Sequence, residues 1–223
     1  MKAQDRNASN ETARVEMFSD GVFAIAITLL GFGLAVPAHG HGPLVHRLID
    51  NWPRYLAFVS SFITIGIVWI NHHRLFTHVH RVSHGLLLWN GLLMMSVALI
   101  PFTSGLVAEY IGHDDAGVAS AVYSANFVFT TMSFNLVWRH VTRGHRLVDH
   151  HITSKMIRRI NRQYGFGPAL YLISFGVAFK SGFASVIIDC VVAAFYALPA
   201  FTVADANLRV SPTEDRDAEA ASG

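Results

Sequence analysis

The chain has 223 residues, of which 52% are hydrophobic and only 14% are charged, and its mean hydropathy is +0.38. Because about a quarter of the residues in soluble domains are charged, this composition excludes an ordinary soluble fold and predicts an integral membrane protein. The net charge of +2 does not by itself indicate a nucleic-acid partner, and the single cysteine, Cys190, excludes a disulfide framework and a cysteine zinc site.

Several apolar segments approach the length of a membrane-spanning helix, which is about 20 residues. The six predicted spans cover residues 18–37, 54–76, 85–110, 117–139, 164–180 and 183–205. The polar first 17 residues, with no small-residue cleavage site after them, predict that no signal peptide is cleaved. We therefore expect an all-α fold with one six-helix transmembrane domain at 1–208 and a disordered, charged cytoplasmic tail at 209–223.

The basic residues predict the orientation of these helices, because cytoplasmic loops are enriched in Lys and Arg. With the N-terminus inside, 14 of the 17 basic residues fall on the cytoplasmic side, and seven of these lie at 139–162. Only Arg47, Arg54 and Lys180 remain outside. Both termini are therefore expected in the cytoplasm.

The first predicted helix has a polar cytoplasmic end and an apolar stripe. The polar end contains Arg14, Glu16, Ser19 and Asp20. At about 100° per residue, the stripe within about 40° of Ile25 consists of Phe18, Leu29, Phe32 and Val36. Thr28 lies at about −60°, whereas Asp20 lies about 140° away and points towards neighbouring helices if the stripe faces a lumen. Periodicity alone leaves open whether the stripe lines a passage or packs inside an apolar bundle.

The second predicted helix ends in a polar group that includes Trp69, Asn71, His72 and His73. Trp69 is also typical of an aromatic anchor at the membrane interface. If the first two helices are antiparallel neighbours, His72 lies at the depth of Asp20. A contact of Asp20 with His72 or Arg14 would then stabilise the pair.

These residues also carry a resemblance to a known family. Arg14-x-x-x-Phe18-Ser19-Asp20, the following Gly-Val-Phe-Ala-Ile-Ala-Ile-Thr-Leu-Leu segment and Trp69-x-x-His72-His73 are similar to the transmembrane protein 175 family of potassium channels. The resemblance extends over Leu86 to Tyr110 and covers the first half of the chain best. The chain is identified as a prokaryotic member of this family.

The resemblance implies a multi-pass channel of the prokaryotic cell membrane, in which four identical subunits of six helices surround a pore lined by the first helix. The implied constrictions are Ile25, Leu29 and Phe32, with Thr28 as a polar selectivity layer. The family more often has Leu where Phe32 stands. The implied network at the cytoplasmic end of the pore helix comprises Arg14, Phe18, Ser19, Asp20, Trp69 and His72.

Such a pore would select potassium without the usual filter, because no T-V-G-Y-G sequence is present. Apolar rings gate by dewetting, and four Thr28 hydroxyls would replace part of an ion's hydration shell. We therefore expect modest potassium selectivity, potassium as the permeant ion, and neither enzymatic activity nor a bound cofactor or resident metal.

Two alternatives come from other residues. Histidines at 72–80 and 145–151 resemble loosely the boxes of membrane metalloenzymes, although their spacing differs and carboxylates are scarce nearby. Asp189 lies in the middle of the last predicted span, where an ionisable side chain suggests a function, and with Asp205 it would suit a proton-coupled transporter.

Overall fold

The structure is a computed structural model that describes the backbone of residues 2–34, 43–77, 79–143 and 154–208. Within these ranges the chain forms only helices and their connections, which confirms the all-α prediction. The α-helices are α1 Lys2–Leu30, α2 Leu44–Asp50, α3 Trp52–Phe76, α4 His84–Tyr110, α5 Ala116–Thr142, α6 Ser154–Ala178 and α7 Gly182–Leu208. The predicted tail at 209–223 lies outside the described residues.

The ends of several helices differ from the predicted spans. The α-helical part of the first span stops at Leu30 and is followed by a short 3-10 turn, Gly31–Gly33, and residues 35–37 of that span lie outside the described residues. Each glycine in a helix interior costs about 1 kcal/mol relative to alanine, and two of them flank Phe32. Helix α6 begins at Ser154, ten residues before the predicted span at 164, because polar helical turns precede its apolar part. Hydropathy does not register such polar turns, and the seven-residue helix α2 was not predicted at all.

Three of the described helices are long and apolar enough to cross a membrane. They are Asn10–Gly33, Trp52–Phe76 and His84–Tyr110, and shorter apolar helices cover Gly165–Ala178 and Gly182–Tyr196. Helix α5 is as long as α4 but less apolar, because it buries polar side chains at Ser120, Ser124, Asn126, Thr130 and Ser133. It packs against α4, α6 and α7, so these polar groups face other helices.

Close helix packing depends on small residues at the start of α5 and α7. A Cβ atom added at Gly182 would lie 2.5 Å from the Ala116 carbonyl oxygen and 2.9 Å from Ser120 Oγ. Only glycine leaves room for this approach of one helix to the backbone of another, as is common in membrane helix pairs. Helix α1, by contrast, packs on one side only, against α3 and α4.

Candidate functional site on the first helix

Helix α1 has two different faces. The face towards α3 and α4 is buried and includes Ser19, Phe23, Ala26 and Leu30, each at most 4% exposed. The predicted stripe lies on the exposed face, where the exposed fractions are 64% for Phe18, 61% for Ile25, 43% for Leu29 and 83% for Phe32. Within one protomer, therefore, the stripe does not pack inside the bundle.

Thr28 lies on the exposed side of α1 between two members of the stripe. Its hydroxyl donates a 2.8 Å hydrogen bond to the Ile25 carbonyl oxygen, three residues earlier. Because this bond uses the only hydroxyl proton, the oxygen lone pairs remain available to accept from water or to contact a cation.

Phe32 is exposed like the described residues of the stripe, but it belongs to the 3-10 turn that follows the α-helix. The carbonyl of the next residue, Gly33, accepts a 3.5 Å contact from Arg54 Nη1 at the start of α3. Arg54 also forms an ion pair with Glu109 near the end of α4. The turn that carries Phe32 is therefore connected to both helices that support α1. Val36, the last residue of the predicted stripe, lies outside the described residues.

A buried chain of hydrogen bonds joins α1, α4 and α3. Asn90 Nδ2 donates to Ser19 Oγ over 2.9 Å, and Ser19 Oγ donates to the Val15 carbonyl over 2.9 Å. Asn90 Oδ1 is 2.9 Å from His72 Nε2, and since an amide oxygen only accepts, His72 carries its proton on Nε2. Neither contact predicted for Asp20, with His72 or with Arg14, forms a hydrogen bond among the described side chains, and His72 Nε2 meets Asn90 of α4 instead. The sequence signal for this contact is the single Asn in the apolar span of α4.

A second set of contacts lies nearer the surface and joins α1 to α3. Trp69 Nε1 donates a 2.8 Å hydrogen bond to Asp20 Oδ1, so Asp20 contacts a neighbouring helix. One turn earlier on α1, Glu16 Oε1 lies 2.7 Å from His73 Nδ1, and the His73 ring stacks on Trp69 with centroids 6.2 Å apart. The N-terminal part of α1 thus meets the C-terminal part of α3, as antiparallel neighbours do.

Two residues of the predicted network lie apart from these hydrogen bonds. Arg14 and Phe18 are exposed on α1 and line a groove of about 550 Å³ between α1 and the beginning of α4. Asn90 also lines this groove, so its floor borders the buried hydrogen-bond chain.

The histidine clusters do not assemble a metal site in the described part of the chain. No group of three or more His, Cys, Asp or Glu side chains is placed to hold a metal ion there. His72 and His73 instead contact Asn90 and Glu16, and the histidines at 145–151 lie outside the described residues.

Comparisons with known proteins agree on one family. A sequence profile described as the endosomal/lysosomal potassium channel TMEM175 matches residues 14–101. A potassium channel of Chamaesiphon minutus is 44% identical over 192 residues, which cover 85% of this chain and 95% of that relative. A potassium channel of Streptomyces collinus is also 44% identical, over 174 residues, which cover 77% of this chain and 84% of the relative.

The same fold is found in a solved structure. The crystal structure of a lysosomal potassium-selective channel TMEM175 homolog from Chamaesiphon minutus matches with a TM-score of 0.77 and 43% identity, over 86% of this chain and 98% of that one. The human endosomal/lysosomal proton channel TMEM175 is 32% identical over 132 residues, which are 55% of this chain but only 26% of the human protein. Full-length similarity therefore lies with the bacterial proteins.

Proposed function

This chain belongs to the TMEM175 family, and from that premise we propose that it is a potassium channel of the prokaryotic cell membrane, formed by four copies around a central pore. Helix α1 of each copy lines this pore. Membership in a channel family also means that the chain is not an enzyme, and the family implies no cofactor. The permeant ion is potassium.

The observation that carries the proposal is the exposed apolar stripe of α1, with one threonine hydroxyl beside it. Within the described part of the chain, helix α1 has neighbours only on its Ser19 and Phe23 side, so the opposite side is available to other copies of the chain. Four stripes around one axis form successive rings of Ile25, Leu29 and Phe32. A narrow ring of this kind excludes water and closes the pore, whereas a wider ring fills with water and opens it.

Selectivity arises at Thr28 in this arrangement. Its hydroxyl proton is already bonded to the Ile25 carbonyl, so four hydroxyl oxygens present lone pairs to a dehydrating ion. Potassium loses water more readily than sodium and needs less compensation from the protein. Because only one oxygen per subunit is offered, the preference for potassium is modest.

The charges of the described residues support an orientation with both termini in the cytoplasm and six helices crossing the membrane. The end of the bundle where α1 meets the end of α3 carries Arg14, Arg74, Arg81 and Arg139. The opposite end carries Arg47, Lys180 and the Arg54–Glu109 pair and, just after α4, Asp114 and Asp115. The excess of basic residues at the first end matches that of a cytoplasmic surface. In this arrangement residues 1–208 form the channel domain, and 209–223 form a cytoplasmic tail.

Reconstitution into liposomes tests the function directly. We expect single-channel currents in potassium solution, smaller currents in sodium and caesium solutions, and a reversal potential that follows the potassium gradient. A proton gradient without potassium serves as the second condition, because the human relative is named as a proton channel. Current that follows only the proton gradient, or uptake of a substrate against its gradient, would contradict the proposal.

A further inference from the structure

A second buried polar cluster, unrelated to the pore stripe, joins α5, α6 and α7. Ser124 Oγ on α5 lies 3.3 Å from Ser174 Oγ on α6 and 3.0 Å from Ser185 Oγ on α7. It donates a 2.7 Å hydrogen bond to Asp189 Oδ2, one turn further along α7. The three serines are 0% exposed and Asp189 is 2% exposed, so bulk water does not reach the cluster.

The donors of this cluster are almost all used elsewhere. The hydroxyls of Ser174 and Ser185 donate to each other's backbone carbonyl oxygens over 2.9 and 3.0 Å. Asp189 Oδ2 accepts a hydrogen bond from Ser124, and Ser174 is the other hydroxyl that interacts with the carboxyl group, whereas Oδ1 is buried without a hydrogen-bond partner. An ionised carboxylate normally accepts several hydrogen bonds or lies against a cation when it is buried.

No counter-charge faces Asp189 from the described side chains of the neighbouring helices. The titratable side chains that interact with it are Tyr123 on α5, Tyr171 on α6 and Cys190 on α7, all of which are neutral near pH 7. Among the described side chains, none of the Lys, Arg or His residues forms an ion pair with it. In a membrane-spanning helix, an ionised Asp189 carboxylate without a cationic partner would therefore lose its hydration with no compensating ion pair.

We propose that Asp189 is a proton-binding site, and that the protonated, neutral acid is the state that holds α5, α6 and α7 together. A proton is favoured over a metal ion because the serine oxygens lie 3.0 to 3.3 Å apart and are already bonded to each other or to backbone carbonyls. A metal ion would have to break those bonds. The site lies on helices other than α1, and the inference does not depend on which ion the pore conducts.

Protonation of Asp189 should make the stability of the folded chain depend on pH in one direction. If the folded state holds a proton that the unfolded state releases, stability is present in acidic buffer and is lost as the pH rises. Alkaline conditions ionise Asp189 where only serine hydroxyls can donate to it and Oδ1 has no hydrogen-bond partner, which weakens the contact between α5 and α7. Asparagine has nearly the same shape as the neutral acid and does not ionise in this range.

Thermal unfolding of the purified full chain in lipid nanodiscs, followed across acidic to alkaline buffers, tests this. We expect the unfolding midpoint of the wild type to fall as the pH rises. The midpoint of Asp189→Asn should equal that of the wild type in acidic buffer and should not fall with it in alkaline buffer. Asp114→Asn, at an exposed acid just after α4, is the matched control and should leave the pH dependence unchanged. An Asp189→Asn variant that keeps the full wild-type pH dependence would overturn the assignment.

Infrared spectroscopy of the wild type keeps the test decisive if the variant does not fold. A buried neutral acid gives a carbonyl band that shifts in heavy water and disappears in alkali, and its absence at neutral pH would contradict the proposal. Raising sodium or potassium concentration should not change the wild-type midpoint at constant ionic strength. Stabilisation by one of these ions that Asp189→Asn abolishes would identify a cation site and also overturn the proposal.

Discussion

The two faces of α1 differ in what their side chains contact, although they belong to one helix. The buried face joins α3 and α4 through the hydrogen bonds of Ser19, Asn90 and His72. Each of these hydrogen bonds has a defined donor. The exposed face, with Ile25 and Leu29, has no such partners within the protomer. Substitutions on the first face should therefore change folding, and substitutions on the second should change permeation.

The largest effect is expected from Asn90→Ala, which removes the bonds of Asn90 to Ser19 on α1 and to His72 on α3. The variant leaves a cavity, and it leaves the His72 Nε2 proton and Ser19 Oγ without their partner. We expect a loss of about 2–4 kcal/mol of stability, measured as a lower unfolding midpoint and a lower yield of oligomer. Met95→Ala, at an exposed position of the same helix, is the control. A midpoint as high as that of the control would show that the hydrogen-bond chain contributes little.

The next effect concerns the exposed face. Ile25→Asn and Leu29→Asn place a polar amide in rings that otherwise exclude water, so single-channel conductance should rise several-fold. The unfolding midpoint should stay close to the wild type, because both side chains are exposed in the protomer. Wild-type conductance in both variants would place the stripe against lipid instead of the pore.

Thr28→Val should produce a smaller change, in selectivity and not in conductance. Valine keeps the shape of threonine but offers no oxygen to a dehydrating ion. We expect the potassium-to-sodium permeability ratio to fall by about fivefold, equivalent to about 1 kcal/mol. Thr28→Ser keeps the hydroxyl and should retain most of the ratio. Equal ratios in the valine and serine variants would remove Thr28 from the selectivity layer.

The smallest effect is expected at the outer end of α1. Arg54 and Glu109 are partly exposed, with side-chain exposures of 28% and 58%, so the pair contributes less than about 1 kcal/mol. Arg54→Gln and Glu109→Gln should each alter open probability slightly through the turn at Phe32. The double variant should change the open probability no more than either single variant does. Fully additive effects would mean that the two residues act independently.

The sequence predicted what depends on the periodicity of one helix and missed what depends on how helices face one another. The side of α1 occupied by Ile25 and Leu29 follows from a fixed rotation per residue, and the structure places both on one exposed face. Phe32 is exposed as well, but it lies in a 3-10 turn with a glycine on either side, which helical periodicity does not predict.

Contacts between helices were harder to predict. The expected depth of Asp20 in the membrane correctly predicted that it lies close to the end of α3. Depth alone did not distinguish Trp69 from His72 as its hydrogen-bond partner. Likewise, Ser124 and Ser185 come from distant segments, and only the rotation of α5 and α7 about their axes brings them to Asp189. Hydropathy contains no information about that rotation.

The polar interior of α5 has a consequence for biosynthesis. This helix follows α4 during translation, and its buried serines and Asn126 gain protein neighbours on all sides only after α6 and α7 have emerged. Until then, a span of low hydropathy has little tendency to leave the translocon for lipid on its own. Insertion of α5 should therefore be a late, cooperative event, and nascent chains stopped after α5 should be retained at the translocon or degraded.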